Sequence, residues 1–188
     1  MTKNPVTAAL REMRVVRRYA QRRIPDEVLN DMLEVARWTG TSKNTQPWHL
    51  VVVRDRATLR SLSGLGQFAR HLAGADLATA LVMQSKANAF DSGRLAERLM
   101  LAAWSHGVGS CIGSIWPDDN ERAAKALLGV PGDRWMHQTI AFGYPEDPRG
   151  LRARPNADVA MLPSLGRRPR SELVSWERFG RASEGSSS

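Results

Sequence analysis

Residues 36–53 read ARWTGTSKNTQPWHLVVV, and this stretch decides the fold class. It begins at the end of a helix whose apolar residues recur at helical spacing from Val28 to Ala36. Residues 39–47 form a polar loop, which ends at Pro47 because proline has no backbone N–H to give to a strand ladder. The run His49–Val53 is rich in β-branched residues and predicts a buried strand.

Working outward, the same patterns predict further helices and isolated strands. Helices are predicted over 5–14, from Pro25 to Ala36, and over 58–62, 91–106 and 118–128, with strands over 49–53, 79–83 and 136–142. Because the helices come in blocks between isolated strands, the order favours an α+β fold over a doubly wound sheet. We expect a single domain over residues 1–182, followed by a disordered tail of small polar residues at 183–188.

The chain is basic, with 27 Lys and Arg residues and a formal net charge of +8 in 188 residues. One interpretation is nucleic-acid binding, which gains affinity by releasing counterions from phosphates. The other is a small anionic ligand, since the arginine fork suits bidentate phosphate contacts. The basic residues are scattered and no basic stripe interleaved with aromatics is present, so we expect no nucleic-acid partner.

Three observations bear on the cellular environment. The longest apolar run, Leu50–Val53, is far too short to cross a bilayer, so we expect no membrane partner. The N-terminal residues do not resemble a signal peptide. Cys111 is the only cysteine, which suits a reducing compartment and predicts a cytoplasmic protein.

Four segments carry the chemistry together. The first is MRVVRRY at 13–19, and the second is the stretch 36–53. The third is the predicted helix 91–106 followed by GVGSCIG at 107–113. The fourth consists of GYP at 143–145 and GRRPR at 166–170. In this order and spacing the chain resembles the nitroreductase family of FMN-dependent oxidoreductases, over about residues 6–180. The resemblance implies a three-layer sandwich, with a mostly antiparallel sheet wrapped by helices, in an intertwined homodimer that binds FMN near its interface.

The resemblance also implies a basic half of the flavin site. The family pattern Arg-Arg-Ser-x-Arg falls here on Met13, Arg14, Val15 and Arg17, so the first arginine and the serine are replaced. Arg14 is expected to share the FMN phosphate with a late basic residue, for which Arg167 is the best match and Arg168 lies beside it. Arg17 is expected to act in catalysis, by stabilising the negative charge of the reduced flavin at N1 and O2.

A neutral half is implied by two other segments. The polar loop at 39–47 is expected to offer hydroxyl and amide groups to the ribityl chain and ring of the flavin, from Thr41, Ser42, Asn44 and Gln46. Ordinary loop polarity is a competing explanation for these residues. Ile112 and Gly113 fall where the family places a backbone N–H against flavin N5, and glycine permits close backbone approach. The four histidines lack metal-ligand spacing, so no metal is expected, and Cys111 is expected to be packed rather than nucleophilic.

The resemblance implies a ping-pong reaction in which NADH or NADPH reduces the flavin and a small acceptor, such as a nitro compound or quinone, reoxidises it. Two alternatives remain at this point. The first is a protein of the same fold with specialised chemistry, such as dehalogenation or flavin fragmentation, for which the short segment 84–91 leaves little material for a lid. The second is a non-enzymatic basic protein that binds nucleic acid.

Overall fold

The computed structural model describes residues 4–152 and 169–181. These belong to two compact units, which divide after residue 153. The first unit contains five helices and four strands, and the second contributes the short helix α6, Arg170–Leu173. The elements of the first unit are α1 Pro5–Glu12, α2 Asp26–Arg37, β1 Trp48–Val53, α3 Arg56–Ser63, β2 Leu77–Met83, α4 Ala89–Ser105, β3 Gly109–Ser114, α5 Asp118–Leu128 and β4 Trp135–Gly143.

The four strands form one antiparallel sheet in the order β1-β2-β4-β3. β2 lies in the middle and is buried along its whole length. β1 and β3 are the two edge strands, and β2 and β4 lie between them. This arrangement confirms the α+β class and the antiparallel sheet.

Helices cover both faces of the sheet. Because side chains alternate along a strand, Leu77 and Leu81 of β2 pack with α2 and α4, whereas Ala78 and Ala80 pack on the opposite face with α3 and α5. A 3₁₀ turn, Arg70–Gly74, joins the second of these layers and contacts β3. The three-layer sandwich is therefore confirmed. Among the described residues, no helix combines the length and the apolar character needed to span a bilayer.

Two strands differ from expectation. β1 was predicted to be buried, but it is an edge strand in which only Val53 is fully buried and His49 is exposed. β3 was not predicted as a strand, because its sequence GSCIGS is rich in glycine and serine, which have low strand propensity. The glycines of β3 pack closely against Val16 and Ala69, where a larger residue would not fit without a shift of its neighbours.

The helices agree closely with the sequence. α5 covers the predicted residues 118–128, and α2 begins at Asp26, one residue after Pro25. α1 ends at Glu12, two residues before the predicted end, and begins after Asn4, whose Oδ1 accepts the Val6 N–H at 3.0 Å. The proposed domain boundary at residue 182 stays a prediction, and the tail 183–188 lies outside the described residues.

Candidate flavin site

The segment 13–19 runs along the outer edge of β3. The Val16 N–H donates to the Ser110 carbonyl at 2.9 Å, and Val16 and Tyr19 are buried while the side chains of Arg17 and Arg18 are exposed. A Cβ on Gly109 would lie 2.6 Å from the Val16 side chain, closer than real Cβ atoms approach. Glycine at 109 is therefore what allows this segment to reach the sheet, and Arg17 is held beside β3 as a result.

A cleft opens at this edge, and we call it the arginine cleft. Its volume is about 610 Å³, which lies within the range of small-molecule sites. Its lining contains three guanidinium groups and no carboxylate, so it favours an anionic ligand. The lining residues are Arg17, Arg18, Gln67, Phe68, Arg70, His71 and Ile112.

His71 connects two of the elements that form the arginine cleft. Its Nε2 lies 3.2 Å from the Cys111 carbonyl oxygen, which joins the 3₁₀ turn at 70–74 to β3. Burial lowers the pKa of His71, and the neighbouring Arg17 guanidinium adds to that effect while the hydrogen bond to Cys111 opposes it. His71 is therefore neutral at neutral pH, and the cleft's positive charge comes from its arginines.

Cys111 is packed, as the sequence suggests. Its side chain is buried, and burial raises the pKa of the thiol, although the Arg17 guanidinium opposes the shift through its charge and a hydrogen bond. The Sγ donates to the Ile112 carbonyl at 3.6 Å. A protonated, buried thiol is a poor nucleophile, so the residue serves packing beside the cleft.

Ile112 brings a backbone amide to the same cleft. In an antiparallel strand alternate residues turn their N–H and C=O to the same side, and Ser110 turns its carbonyl outward to Val16. The amide of Ile112, two residues on, therefore faces the same outer edge. Its side chain is 37% exposed and lines the cleft. A hydrogen-bond donor at this place is what the sequence predicts for flavin N5.

Gly113 has a packing role in the structure, and the predicted close approach of a ligand to its backbone stays a prediction. Gly113 is buried, and a Cβ at this position would lie 3.3 Å from the Ala69 Cβ and 3.5 Å from Leu72. Glycine therefore lets the segment before the 3₁₀ turn pack against β3, and that contact shapes the cleft from behind.

The first three residues of the predicted phosphate motif lie along the same segment. Arg14 is exposed, and its guanidinium donates to the carbonyls of Arg11 at 2.9 Å and Met13 at 2.7 Å, at the end of α1. Met13 is half-buried and Val15 is exposed. A phosphate contact by Arg14 stays a prediction. Arg167 and Arg168, its predicted partners, lie outside the described residues.

The polar loop lies at the opposite edge, before β1. Thr41 Oγ1 accepts the Gln46 N–H at 3.1 Å, and Gln46 Nε2 donates to Asn44 Oδ1 at 3.1 Å. Ser42 begins a short 3₁₀ turn that ends at Asn44. Three residues that are not glycine have left-handed backbones, Lys43, Asn44 and Gln46, with φ of 52°, 54° and 46°. Such strain is concentrated at functional sites, which favours a role for the loop beyond surface polarity.

One chain does not bring the two halves of the predicted site together. The loop leads into β1, and Arg17 lies outside β3, with β2 and β4 between them. Three strand spacings of about 4.8 Å put the two edges roughly 14 Å apart. Gln46 instead lines a second cavity, of 560 Å³, together with Trp48, His49 and Arg134. The structure thus joins Arg17 with Ile112 and separates both from Thr41, Ser42, Asn44 and Gln46.

Sequence reasoning missed five residues of the arginine cleft: Arg18, Gln67, Phe68, Arg70 and His71. The last four follow α3 in a stretch without helical or strand periodicity, so no pattern ties them to Arg17. The available signal was an aromatic residue shortly before an arginine and a histidine in a loop. Only the pairing of the turn at 70–74 with β3 shows that they share a cavity with residues 17 and 112.

Comparisons with known proteins agree with this geometry. The model of the nitroreductase family matches residues 10–81 and 68–144. A protein of Archaeoglobus fulgidus, which carries the provisional name NADH dehydrogenase/NAD(P)H nitroreductase, is 31% identical over 142 residues, covering 71% of this chain and 82% of the relative.

Solved structures share the fold. A nitroreductase of Desulfovibrio desulfuricans, solved in complex with FMN, superposes with a TM-score of 0.76 at 23% identity, over 95% of this chain and 99% of that one. The NADPH:FMN oxidoreductase of Vibrio harveyi, complexed with NAD⁺, gives a TM-score of 0.77 at 18% identity, over 96% and 80% of the two chains. The sequence matches and the shared architecture together show that this chain belongs to the nitroreductase family.

Proposed function

We propose that this protein is an oxidoreductase that binds FMN in the arginine cleft and passes electrons from NADH or NADPH to a nitro compound, a quinone or a similar small acceptor. The observation that carries the proposal is the meeting of the Arg17 side chain and the outward-facing Ile112 amide in one cleft. Family membership supports FMN as the cofactor and oxidoreduction as the class of reaction.

The residues of the cleft fit the chemistry of FMN. The group carries an anionic phosphate and a flat ring system, and it accepts a hydride from a nicotinamide and delivers electrons to an acceptor. The lining offers the Arg17 guanidinium for negative charge and Ile112 as apolar surface for a ring. Neutral His71 adds no competing charge, and no carboxylate of the lining repels a phosphate.

Each residue has a distinct role in this proposal. Arg17 stabilises negative charge at the ring edge, where a fixed cation acts without reorganisation. The Ile112 amide positions the ring by donating a hydrogen bond. Arg14, three residues before Arg17 and exposed on the same segment, turns from the carbonyls at the end of α1 to the phosphate, and Arg167 or Arg168 completes that contact.

The proposal includes a homodimer in which the second copy supplies the loop with Thr41, Ser42 and Asn44. Support comes from the separation of the two sheet edges, since a single chain leaves the flavin site without its neutral half. Further support comes from apolar surface: α1 has no buried residue, and its Val6 is 66% exposed. Phe90 on α4 is 77% exposed. Burying such surface stabilises a complex by about 25 cal/mol per Å².

The test is the absorbance spectrum of the purified full-length protein. We expect a yellow protein, or one that becomes yellow on adding FMN, whose visible absorbance is lost when NADH or NADPH is added without oxygen. Reoxidation by a nitroaromatic compound or a quinone restores the colour. A colourless protein that does not take up FMN contradicts the proposal. A cytoplasmic location is part of the same proposal and is checked by fractionation of the source cells.

A further inference from the structure

We propose that Arg18 and Arg70 select electron acceptors that carry an anionic group beside an aromatic ring. The inference rests on the proposed function, because it concerns the acceptor that enters the arginine cleft once the flavin is in place. Arg17 is assigned to the flavin ring. The other two guanidinium groups of the lining have no role in holding the cofactor in the proposal above.

The charges of Arg18 and Arg70 are not compensated by neighbouring acids. Over residues 4–152 and 169–181, neither side chain takes part in an ion pair, and no acidic residue lines the cleft. Some other arginines do face carboxylates: Arg54, for example, lies 2.9 Å from an Asp76 oxygen and 3.2 Å from an Asp26 oxygen. The cleft therefore brings together guanidinium groups that have no paired carboxylate among the described residues.

The same lining contains an aromatic side chain. Phe68 lies two residues before Arg70 in the chain and is 75% exposed, although leaving an aromatic ring in water costs free energy. A planar aromatic acceptor would cover this surface, while a carboxylate or sulfonate on its ring would reach a guanidinium. Neither a neutral aromatic compound nor a small inorganic anion would use both features.

The expected size of the selection follows from exposure. Arg18 and Arg70 are both exposed, so solvent and salt screen their attraction for an anion. Exposed charge pairs of this kind change an equilibrium by about two- to fivefold each. Two arginines acting on one carboxylate then give a preference on the order of tenfold over a neutral isostere, and the preference falls as salt increases.

The experiment compares 4-nitrobenzoate with 4-nitrobenzamide, which has nearly the same shape but no charge. With FMN-loaded full-length protein and saturating NADH, kcat/KM is measured for each acceptor, and their ratio is the readout. We expect the ratio to favour 4-nitrobenzoate, to fall about two- to fivefold in Arg18→Gln and in Arg70→Gln, and to be kept by Arg70→Lys. Arg60→Gln is the matched control, since Arg60 is an exposed arginine of α3 outside the cleft and its loss changes the net charge equally.

A binding measurement accompanies the kinetics. Calorimetry of the oxidised protein with each nitro compound is expected to show tighter binding of 4-nitrobenzoate, weakened in Arg18→Gln and Arg70→Gln but not in Arg60→Gln. The proposal is overturned if the two compounds bind and react equally well, or if Arg60→Gln lowers the ratio as much as the cleft variants. It is also overturned if the cleft variants change only kcat/KM for NADH or NADPH, because the arginines would then serve the donor.

The proposed function and the selection of anionic acceptors would be contradicted by different results. If the protein neither holds FMN nor oxidises NADH with either acceptor, the proposed function fails, and the calorimetry alone then decides whether Arg18 and Arg70 select the anion. If NADH oxidation proceeds with both acceptors at an unaltered ratio in every variant, the proposed function stands and the selection of anionic acceptors is wrong.

Discussion

The β3 edge and the β1 edge of the sheet differ in both charge and backbone geometry. At the β3 edge, a straight segment lies against small residues and presents guanidinium groups to a cleft. At the β1 edge, a loop with three left-handed residues presents hydroxyl and amide groups. A flavin needs both kinds of contact. Under the proposed function, a single copy of the chain would therefore supply one edge to each of two sites.

The largest effect is expected from combining defects at the two edges. One variant carries Arg14→Ala and Arg17→Ala, and the other carries Thr41→Ala, Ser42→Ala and Asn44→Ala. If each site takes one edge from each subunit, the mixed dimer contains one site with every defect and one site with none. We expect each homodimer to be nearly inactive and the mixed dimer, purified through two tags, to recover about half of the normal activity.

A different result is expected if each site is built from one chain. If both edges of a site came from the same chain, the two sites of a mixed dimer would each carry one set of defects, and mixing would restore nothing. The wild-type protein taken through the same unfolding, mixing and purification serves as the control for losses during subunit exchange.

The fit of the segment 13–19 against β3 depends on Gly109. We expect Gly109→Ala to lower the free energy of unfolding by about 1–3 kcal/mol, because the new Cβ would overlap the Val16 side chain and push the segment off the sheet. Chemical denaturation measures the change. Gly74→Ala is the control, since a Cβ there has no atom within 4 Å, and its effect is expected to stay within about 0.5 kcal/mol.

The phosphate end of the β3 edge is probed by Arg14→Ala. We expect this change to weaken FMN binding about 10- to 150-fold and to leave riboflavin, which lacks the phosphate, nearly unaffected, because a lost charged hydrogen bond costs about 1.5–3 kcal/mol. Titration of apoprotein with both flavins, followed by fluorescence, gives the two affinities. Equal weakening of FMN and riboflavin would mean that Arg14 does not contact the phosphate.

The smallest expected effect concerns the electronic role of Arg17. Removing its cation in Arg17→Ala disfavours the negatively charged reduced flavin, so we expect the two-electron reduction potential to fall. A loss of about 1.4 kcal/mol corresponds to roughly 30 mV for two electrons. Spectroelectrochemical titration of the variant beside Arg60→Ala measures it, and an unchanged potential in a folded, FMN-loaded variant refutes this role.

The sequence predicted the layers of the fold better than its edges. Helix spacing located α2, α4 and α5, and β-branched residues located β1, because periodicity and propensity are local properties of the chain. β3 was not predicted as a strand, because its glycines are there to pack against Val16 and Ala69, which lie far away in sequence. The strand propensity of a segment does not reflect such long-range contacts.

The same limit applies to the candidate site. The resemblance identified Arg17 and Ile112, and the structure brings these two into one cleft. Phe68, Arg70 and His71 were not found, because they join the cleft only through the packing of their turn on β3. Gly113 shows the same limit, since a glycine needed for packing and one needed for a ligand look alike in a sequence, and its contact with Ala69 is visible only in the structure.

The left-handed backbones of Lys43, Asn44 and Gln46 have a consequence for how fast and how tightly a ligand is held. Residues with a Cβ adopt this geometry only when their surroundings enforce it, at a cost of about 1–3 kcal/mol each. The hydrogen bonds inside the loop contribute to that enforcement. The loop therefore loses most of its conformational entropy when the chain folds. Binding of a ligand to the loop then carries little further entropic cost.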